Sequence, residues 1–162
     1  MLMTNFLQKR KSVRNFKKDT VPRDSLENIK LLMDELDREE REINFSLYEN
    51  GKIVAEGLRG KAGYAGVMIE APHYIALDIK NDKPLNILKG GYCLEKLNTK
   101  IVDLDLDTCW ITVDEVDKET KKAIFGENGT GIDYLIAIGY GQKKKFFDPE
   151  VTSSRLTVEE IV

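Results

Sequence analysis

The sequence has few of the side chains that most often bind transition metals or act as nucleophiles. It contains one histidine, His73, and two cysteines, Cys93 and Cys109. The cysteines are too far apart for a CxxC redox or zinc motif, so we expect both to be buried thiols in a reducing compartment. A Cys–His nucleophile pair is one alternative, but His73 follows Pro72 at the start of an apolar run, where a structural polar role is favoured. No Ser-His-Asp arrangement stands out.

Long apolar runs are also absent. No stretch of about 18 apolar residues occurs, and Lys9, Arg10 and Lys11 interrupt the short apolar start of the chain. We therefore expect a cytoplasmic protein without a membrane association. The 162 residues, of which 41% are hydrophobic and 33% charged, predict a single domain, 1–162, with a substantial core. The net charge of −3 and a pI near 5.4 argue against a nucleic-acid partner.

Acidic residues are scarce near the N-terminus. Residues 1–23 contain seven lysines and arginines and a single acid, Asp19, a local charge of +6 that leaves −9 for the rest of the chain. A basic helix end that complements the helix dipole would explain this charge without any ligand. The alternative is a phosphate site, because guanidinium groups bind phosphate oxygens in pairs and a serine adds a hydroxyl donor. The candidate phosphate ligands, all in the stretch RKSVRNF, are Arg10, Lys11, Ser12 and Arg14.

Four helices are predicted from apolar spacing and from helix end signals. In the second, apolar residues recur every three to four positions between Leu26 and Leu36. In the first, Val13 is expected on the apolar side together with Phe6 and Leu7. The predicted helices run from Thr4 to about Asn15, from Asp24 or Ser25 into the acidic tail near residue 42, from Pro84 to Asp103, and from the Asp117 cap to Gly126.

The strands are predicted from one turn signal and three apolar runs. INFSLYENGKIVAEGL, residues 43–58, is predicted to be a β-hairpin, because Asn50-Gly51 supplies the two positive-φ positions of a type I′ turn. The apolar runs predict strands at 73–79, 109–113 and 133–141, and Trp110 is expected in the core. This order of elements predicts an α+β fold with a mainly antiparallel sheet flanked by helices.

Two motifs are interpreted as structural rather than ligand-binding. GENGTG, residues 126–131, has a predicted helix before it and a strand after it, the reverse of a dinucleotide-binding loop, and is interpreted as a turn. Asp103, Asp105 and Asp107 alternate as in a calcium loop, but Thr108 stands where the sharp turn of such a loop requires glycine. These aspartates are interpreted as a solvated strand edge, and no metal is expected.

Four segments resemble, in order, landmarks of the nitroreductase-like FMN-dependent flavoproteins. RKSVRNFKKDTVPRDSLENI is similar to the stretch that holds the phosphate and ribityl chain of FMN in that family. GYCLEKLNTKIVDLDLDTCWITV is similar to the family's central helix and its GLGTCW-like strand, and LIAIGYG resembles its IGYP-like strand. SSRLTVEEIV looks like its C-terminal tail. The chain is thereby identified as a short member of the family, expected to be complete, with the nitroreductase-like α+β fold.

The resemblance implies a cofactor, a reaction and an assembly. FMN is the expected cofactor, with NAD(P)H as the reductant and a nitroaromatic, a quinone or a similar small molecule as the electron acceptor. The family transfers hydride through flavin N5, so no catalytic side chain is implied. Family members are typically homodimers with FMN at the subunit interface. The residues implied in phosphate binding are Arg10, Lys11, Ser12, Arg14 and, from the other end of the chain, Arg155.

Three departures from the family pattern leave other functions open. Ser153 stands where the tail often has lysine, Leu106-Asp107 replaces the Leu-Gly of the GLG turn, and CWITVDEV lacks the glycine or Glu-Gly pair that often lies near flavin N5. Two of these departures lie at the ring end of the site, so a non-catalytic flavin- or nucleotide-binding module of the same fold is the alternative function. A basic interaction domain without a cofactor is the third.

Overall fold

A computed structural model describes residues 9–64, 66–81 and 83–142 of the chain. The predicted helix cap Thr4 and the C-terminal tail with Ser153 and Arg155 lie outside the described residues. The predictions that rest on them stay predictions, as does the single domain 1–162.

A four-stranded antiparallel sheet forms the centre of the described structure. The strands are β1 (Ile43–Tyr48), β2 (His73–Ile79), β3 (Asp107–Thr112) and β4 (Ile132–Gly139). They lie in the order β1-β2-β4-β3, and every neighbouring pair is antiparallel. The long apolar runs form the two central strands, β2 and β4, because only a strand covered on both faces buries every side chain. The predicted α+β class and antiparallel sheet are confirmed.

Helices cover both faces of this sheet. They are α1 (Arg23–Glu39), α2 (Gly51–Leu58), α3 (Pro84–Asp103) and α4 (Lys118–Phe125). One apolar cluster joins α1 and α3 to the sheet, and a second joins α2 to the opposite face. The predicted end signals of α4 are confirmed, since the Asp117 carboxylate accepts a hydrogen bond from the Thr120 N–H and Gly126 ends the helix at a φ of 85°. Among the described helices, none combines the length and apolar character needed to cross a bilayer.

The predicted hairpin at 43–58 is wrong in its second half. β1 is present, but the residues after the turn signal form α2, whose apolar side chains face the core with helical spacing. Gly51 is buried, its φ is not positive, and its N–H donates to the carbonyl of Pro72 over 2.8 Å. A Cβ at Gly51 would lie 2.1 Å from the carbonyl oxygen of Ala71. Close packing, rather than the turn conformation, therefore accounts for this glycine.

Trp110 was predicted in the core, and this prediction is wrong. Its neighbours Cys109 and Ile111 are buried, whereas 39% of Trp110 is exposed. β3 is an edge strand, and alternate residues of a strand point to opposite faces of the sheet. Trp110 therefore points away from the cluster around Cys109, to a face that the helices cover only in part.

Candidate functional site

The basic N-terminal segment lies against the edge strand of the sheet. The described part of the first helix ends at Lys9, earlier than predicted, and residues 10–16 contain two isolated bridges to the sheet. Ser12 forms a parallel bridge with Thr108 of β3, and the Val13 N–H donates to the Thr108 carbonyl over 2.9 Å. Phe16 is buried in the core and bridges to Gly141 just beyond β4. The sheet edge thus holds the basic residues in place.

The four predicted phosphate ligands point to different surroundings. Arg10 contacts Glu95 of α3, whereas Arg14 contacts Tyr64 at a cavity on the opposite face of the sheet. Burial raises the pKa of the Cys109 thiol, and the positive charges of Arg14 and Arg10 partly offset that rise, which places both arginines near β3. Lys11 instead lines a separate cavity of about 170 Å³ with Lys9 and Asp107.

Arg10 is held against α3. Its Nε atom is buried and lies 3.4 Å from Glu95 Oε1, an ion pair in which Arg10 is 27% exposed and Glu95 42%. The geometry is too poor for a hydrogen bond, and within the described residues this Nε has no hydrogen-bond partner. The attraction is therefore coulombic, and the N–H groups of the guanidinium remain available to another acceptor.

Arg14 lies on an aromatic ring. Its guanidinium carbon is 4.2 Å from the ring centroid of Tyr64, a cation–π contact. Tyr64 sits in a short turn in which its N–H and carbonyl both bond to Val67, and 62% of the tyrosine is exposed. Both residues line a large cavity.

This cavity has a volume of about 1120 Å³. Its walls come from residues 14–18 and Thr20, from the first turns of α2, and from Tyr64 with residues 67–72. The walls combine buried apolar side chains, including Met68 and Ile69, with charged residues. A cavity of this size and character accommodates a planar organic ligand larger than a simple anion.

His73 holds together two backbone segments next to the cavity. Its Nε2 accepts a hydrogen bond from the Val21 N–H over 3.1 Å, and its Nδ1 donates to the Glu49 carbonyl over 2.7 Å. Burial lowers the pKa of His73, and a protonated ring could not accept from Val21. Both ring nitrogens are bonded to backbone groups, so the predicted structural role is confirmed.

Asp107, one of the three alternating aspartates, contributes to the backbone geometry of the sheet edge. Its Oδ2 accepts a hydrogen bond from the Gly141 N–H over 2.8 Å, beside the attachment point of Phe16. Within residues 9–64, 66–81 and 83–142, no group of three or more metal-binding side chains comes together.

Sequence reasoning missed the contributions of Tyr64, Glu95 and Asn98. Asn98 is completely buried although it stands in the apolar stripe of α3 with Leu94, Leu97 and Ile101. A polar residue in such a stripe is a signal that could have been recognised, because a buried amide needs partners. No comparable signal marks Glu95 or Tyr64, whose partners are distant in sequence.

One protein family matches nearly the whole chain. The family described as "Putative TM nitroreductase" matches residues 3–162. The chain belongs to this family. The resemblance found in the sequence is thereby confirmed, and membership of a nitroreductase family indicates an oxidoreductase. A comparison with functionally curated proteins gave no match.

Solved structures share the fold of this nitroreductase family member at low sequence identity. An FMN-dependent nitroreductase from Clostridium difficile R20291 has a TM-score of 0.72 and 20% identity, over 88% of this chain and 90% of that chain. A protein described as a putative nitroreductase in complex with FMN, from Desulfovibrio desulfuricans, has a TM-score of 0.73 and 13% identity, over 100% and 95%. The FMN-dependent nitroreductase NfnB from Mycobacterium smegmatis, in complex with NADPH, has a TM-score of 0.69 and 15% identity, over 86% and 87%.

The residues of this nitroreductase family member fit the phosphate group of FMN. The buried Arg10 Nε lacks a hydrogen bond within the described residues, and Lys11 and Ser12 are exposed. Over the same residues, Lys11 forms no ion pair. Phosphate oxygens would supply the acceptors that these donors lack.

Proposed function

We propose that the protein is an FMN-dependent oxidoreductase that uses NAD(P)H to reduce a nitroaromatic, a quinone or a similar acceptor. The observation that carries the proposal is a basic segment held against β3, in which the buried Arg10 Nε has no hydrogen bond within the described residues and Arg14 lines the 1120 Å³ cavity. A phosphate at the segment and a ring system in the cavity match the two ends of a flavin nucleotide. Membership of the nitroreductase family supports this assignment.

At the phosphate end, Arg10, Ser12 and Arg14 bind the anion directly. Lys11 contributes its charge, and Arg155 is proposed as a further ligand of the same phosphate. The bridge to β3 and the buried Phe16 anchor hold the segment in place before the cofactor arrives. Preorganised donors bind an anion with a smaller loss of conformational entropy than mobile ones.

At the ring end, the cavity orients and shields the cofactor. The bound FMN supplies the hydride chemistry, so the protein needs no catalytic side chain. Met68 and Ile69 offer apolar surface that excludes water from the site. Arg14, which is held on the ring of Tyr64, lines the same cavity.

We further propose that the protein is a homodimer in which a second copy covers the exposed face of α3. Leu85, Leu88 and Tyr92 lie on one face of this helix and are 60%, 71% and 66% exposed. Leu88→Glu places a charge in the centre of this face. Sedimentation velocity should show the wild type at twice the monomer mass of 18.5 kDa and the variant at the monomer mass. A wild-type monomer at all concentrations would refute the dimer.

The absorbance spectrum of the purified protein tests the cofactor. We expect flavin bands after purification or after reconstitution with FMN, and loss of these bands on anaerobic addition of NADH or NADPH. Addition of a nitroaromatic or a quinone should restore them. A colourless protein that FMN does not reconstitute would overturn the proposal. Stoichiometric FMN that neither nucleotide reduces would identify a non-catalytic flavin-binding module instead.

A further inference from the structure

A continuous set of polar contacts connects the basic segment to the interior of the protein. Asn98 of α3 is completely buried, and its Nδ2 donates to Glu95 Oε2 over 2.8 Å. Its Oδ1 accepts from the hydroxyl of Thr108 over 2.8 Å. The backbone of Thr108 in turn bonds to Val13 of the basic segment. The segment is therefore connected to α3 through β3.

The same contacts fix the orientation of the Glu95 carboxylate. One oxygen, Oε2, is bound by Asn98, which leaves the other, Oε1, 3.4 Å from Arg10 Nε. Without Asn98, this carboxylate could rotate freely, because the side chain is 42% exposed. A buried asparagine in an apolar stripe lowers the stability of the fold unless it forms hydrogen bonds. Packing alone therefore does not explain Asn98, whereas its two hydrogen bonds do.

A guanidinium group has five N–H donors in a rigid plane. When Nε faces Glu95, one N–H of a terminal nitrogen points the same way, and two other terminal N–H groups form a fork at the far end of the guanidinium. No described residue accepts a hydrogen bond from Arg10. The orientation of Glu95 thus determines the orientation of the fork.

We propose that Glu95 and Asn98 are positioning residues that orient Arg10 for the phosphate of FMN. The inference rests on the proposed function and adds two residues of α3 to the phosphate end of the site. Neither residue needs to touch the cofactor. Their contribution is that Arg10 is already aligned when the phosphate binds.

The direction in which FMN affinity changes when the Glu95 charge is removed distinguishes this role from a merely electrostatic one. A carboxylate near a phosphate repels it, so loss of the Glu95 charge should strengthen FMN binding if Glu95 does nothing else. If Glu95 positions Arg10, the same substitution should weaken FMN binding. Riboflavin lacks the phosphate, so its affinity should not change.

The test measures the dissociation constants of FMN and riboflavin for the full-length apoprotein by fluorescence titration. For Glu95→Gln we expect about tenfold weaker FMN binding, or about 1.4 kcal/mol, and riboflavin binding within twofold of the wild type. Glu119→Gln, which removes an exposed charge from α4, is the matched control and should change neither constant. In an Arg10→Ala background, Glu95→Gln should cause no further loss.

Asn98→Ala provides a second variant, because it keeps the Glu95 charge and removes the bond that orients it. We expect FMN binding about threefold weaker than that of the wild type, again without a change for riboflavin. Thermal unfolding of each apoprotein confirms that the variant is folded. The proposal is overturned if folded Glu95→Gln binds FMN as tightly as the wild type or more tightly, or if riboflavin weakens equally. If the wild type itself binds neither flavin, the proposed function fails instead.

Discussion

Replacement of Gly51 by alanine should destabilise the protein, although it adds a helix-favouring residue at the first position of α2. In an unhindered helix position, alanine is more stable than glycine by about 0.5–1 kcal/mol. At Gly51, however, the new Cβ would lie 2.1 Å from the carbonyl oxygen of Ala71 and 2.6 Å from the carbonyl carbon of Pro72. Real Cβ contacts are essentially never shorter than 3.0 Å, and both of these atoms belong to the backbone. Either α2 or the 71–72 backbone must therefore move.

The cost of this movement has two parts. Overpacking in a well-packed core costs about 1–3 kcal/mol. The movement also weakens the 2.8 Å hydrogen bond from the Gly51 N–H to the Pro72 carbonyl, which is worth about 0.5–1.5 kcal/mol. After the gain from alanine is subtracted, we expect a net loss of about 2 kcal/mol. For a protein of this size, that loss lowers Tm by about 4–8 °C.

Urea denaturation and thermal unfolding of the apoprotein measure this loss. FMN must be absent, because a ligand that binds the folded state raises its apparent stability. Gly91→Ala is the matched control, since Gly91 lies within α3 and a Cβ there would meet nothing within 4 Å. The control should gain about 0.5 kcal/mol. If Gly51→Ala is as stable as Gly91→Ala, then α2 does not pack against residues 71–72, and the explanation of this glycine is wrong.

Three further predictions concern charged and titratable groups. Arg14→Ala should weaken FMN binding about tenfold in a fluorescence titration, because a charged hydrogen bond contributes about 1.5–3 kcal/mol. The control Arg38→Ala on α1 should leave the FMN affinity unchanged. If Arg14→Ala binds FMN as tightly as the wild type, Arg14 is not part of the site. Burial lowers the pKa of His73 below its usual 6.5, so its contribution to stability is complete above pH 6.5 and is lost as the pH falls below it. Thermal unfolding should show this loss between pH 7.5 and 5.5 in the wild type and not in His73→Gln; identical pH profiles would contradict it. Lys121 is 4% exposed and pairs with Asp133 over 3.0 Å. Asp133→Ala should lower the free energy of unfolding by about 2 kcal/mol, because it leaves the lysine buried without a counter-charge, whereas Lys121→Met should be nearly neutral in the same urea titration.

The sequence was sufficient where local patterns and burial agree. α1 and α3 were predicted from apolar spacing, and β2 and β4 from apolar runs that suit central strands. The end signals of α4 were also read correctly, since a cap bonds only to its own first turn and needs no distant partner.

The predictions from sequence failed where contacts with residues distant in the chain determine the local structure. Asn50-Gly51 has the composition of a hairpin turn, yet the backbone at Ala71 and Pro72 requires a glycine there for close packing, and α2 follows. Trp110 lies in an apolar run, yet the edge position of β3 leaves it partly exposed. Neither the packing distance nor the order of strands is contained in a local window.

The basic stretch RKSVRNF shows the same division within the candidate site. The sequence by itself determined that an uncompensated charge is concentrated there and that its pattern resembles a flavin phosphate site, because charge and motif are properties of the residues. Only the tertiary structure decided where these side chains lie, with Arg10 against α3, Lys11 at a small separate cavity and Arg14 at the large one. It also brought Glu95 to Arg10 and Tyr64 to Arg14, contacts between residues that lie 50 or more positions apart and that only packing can place together.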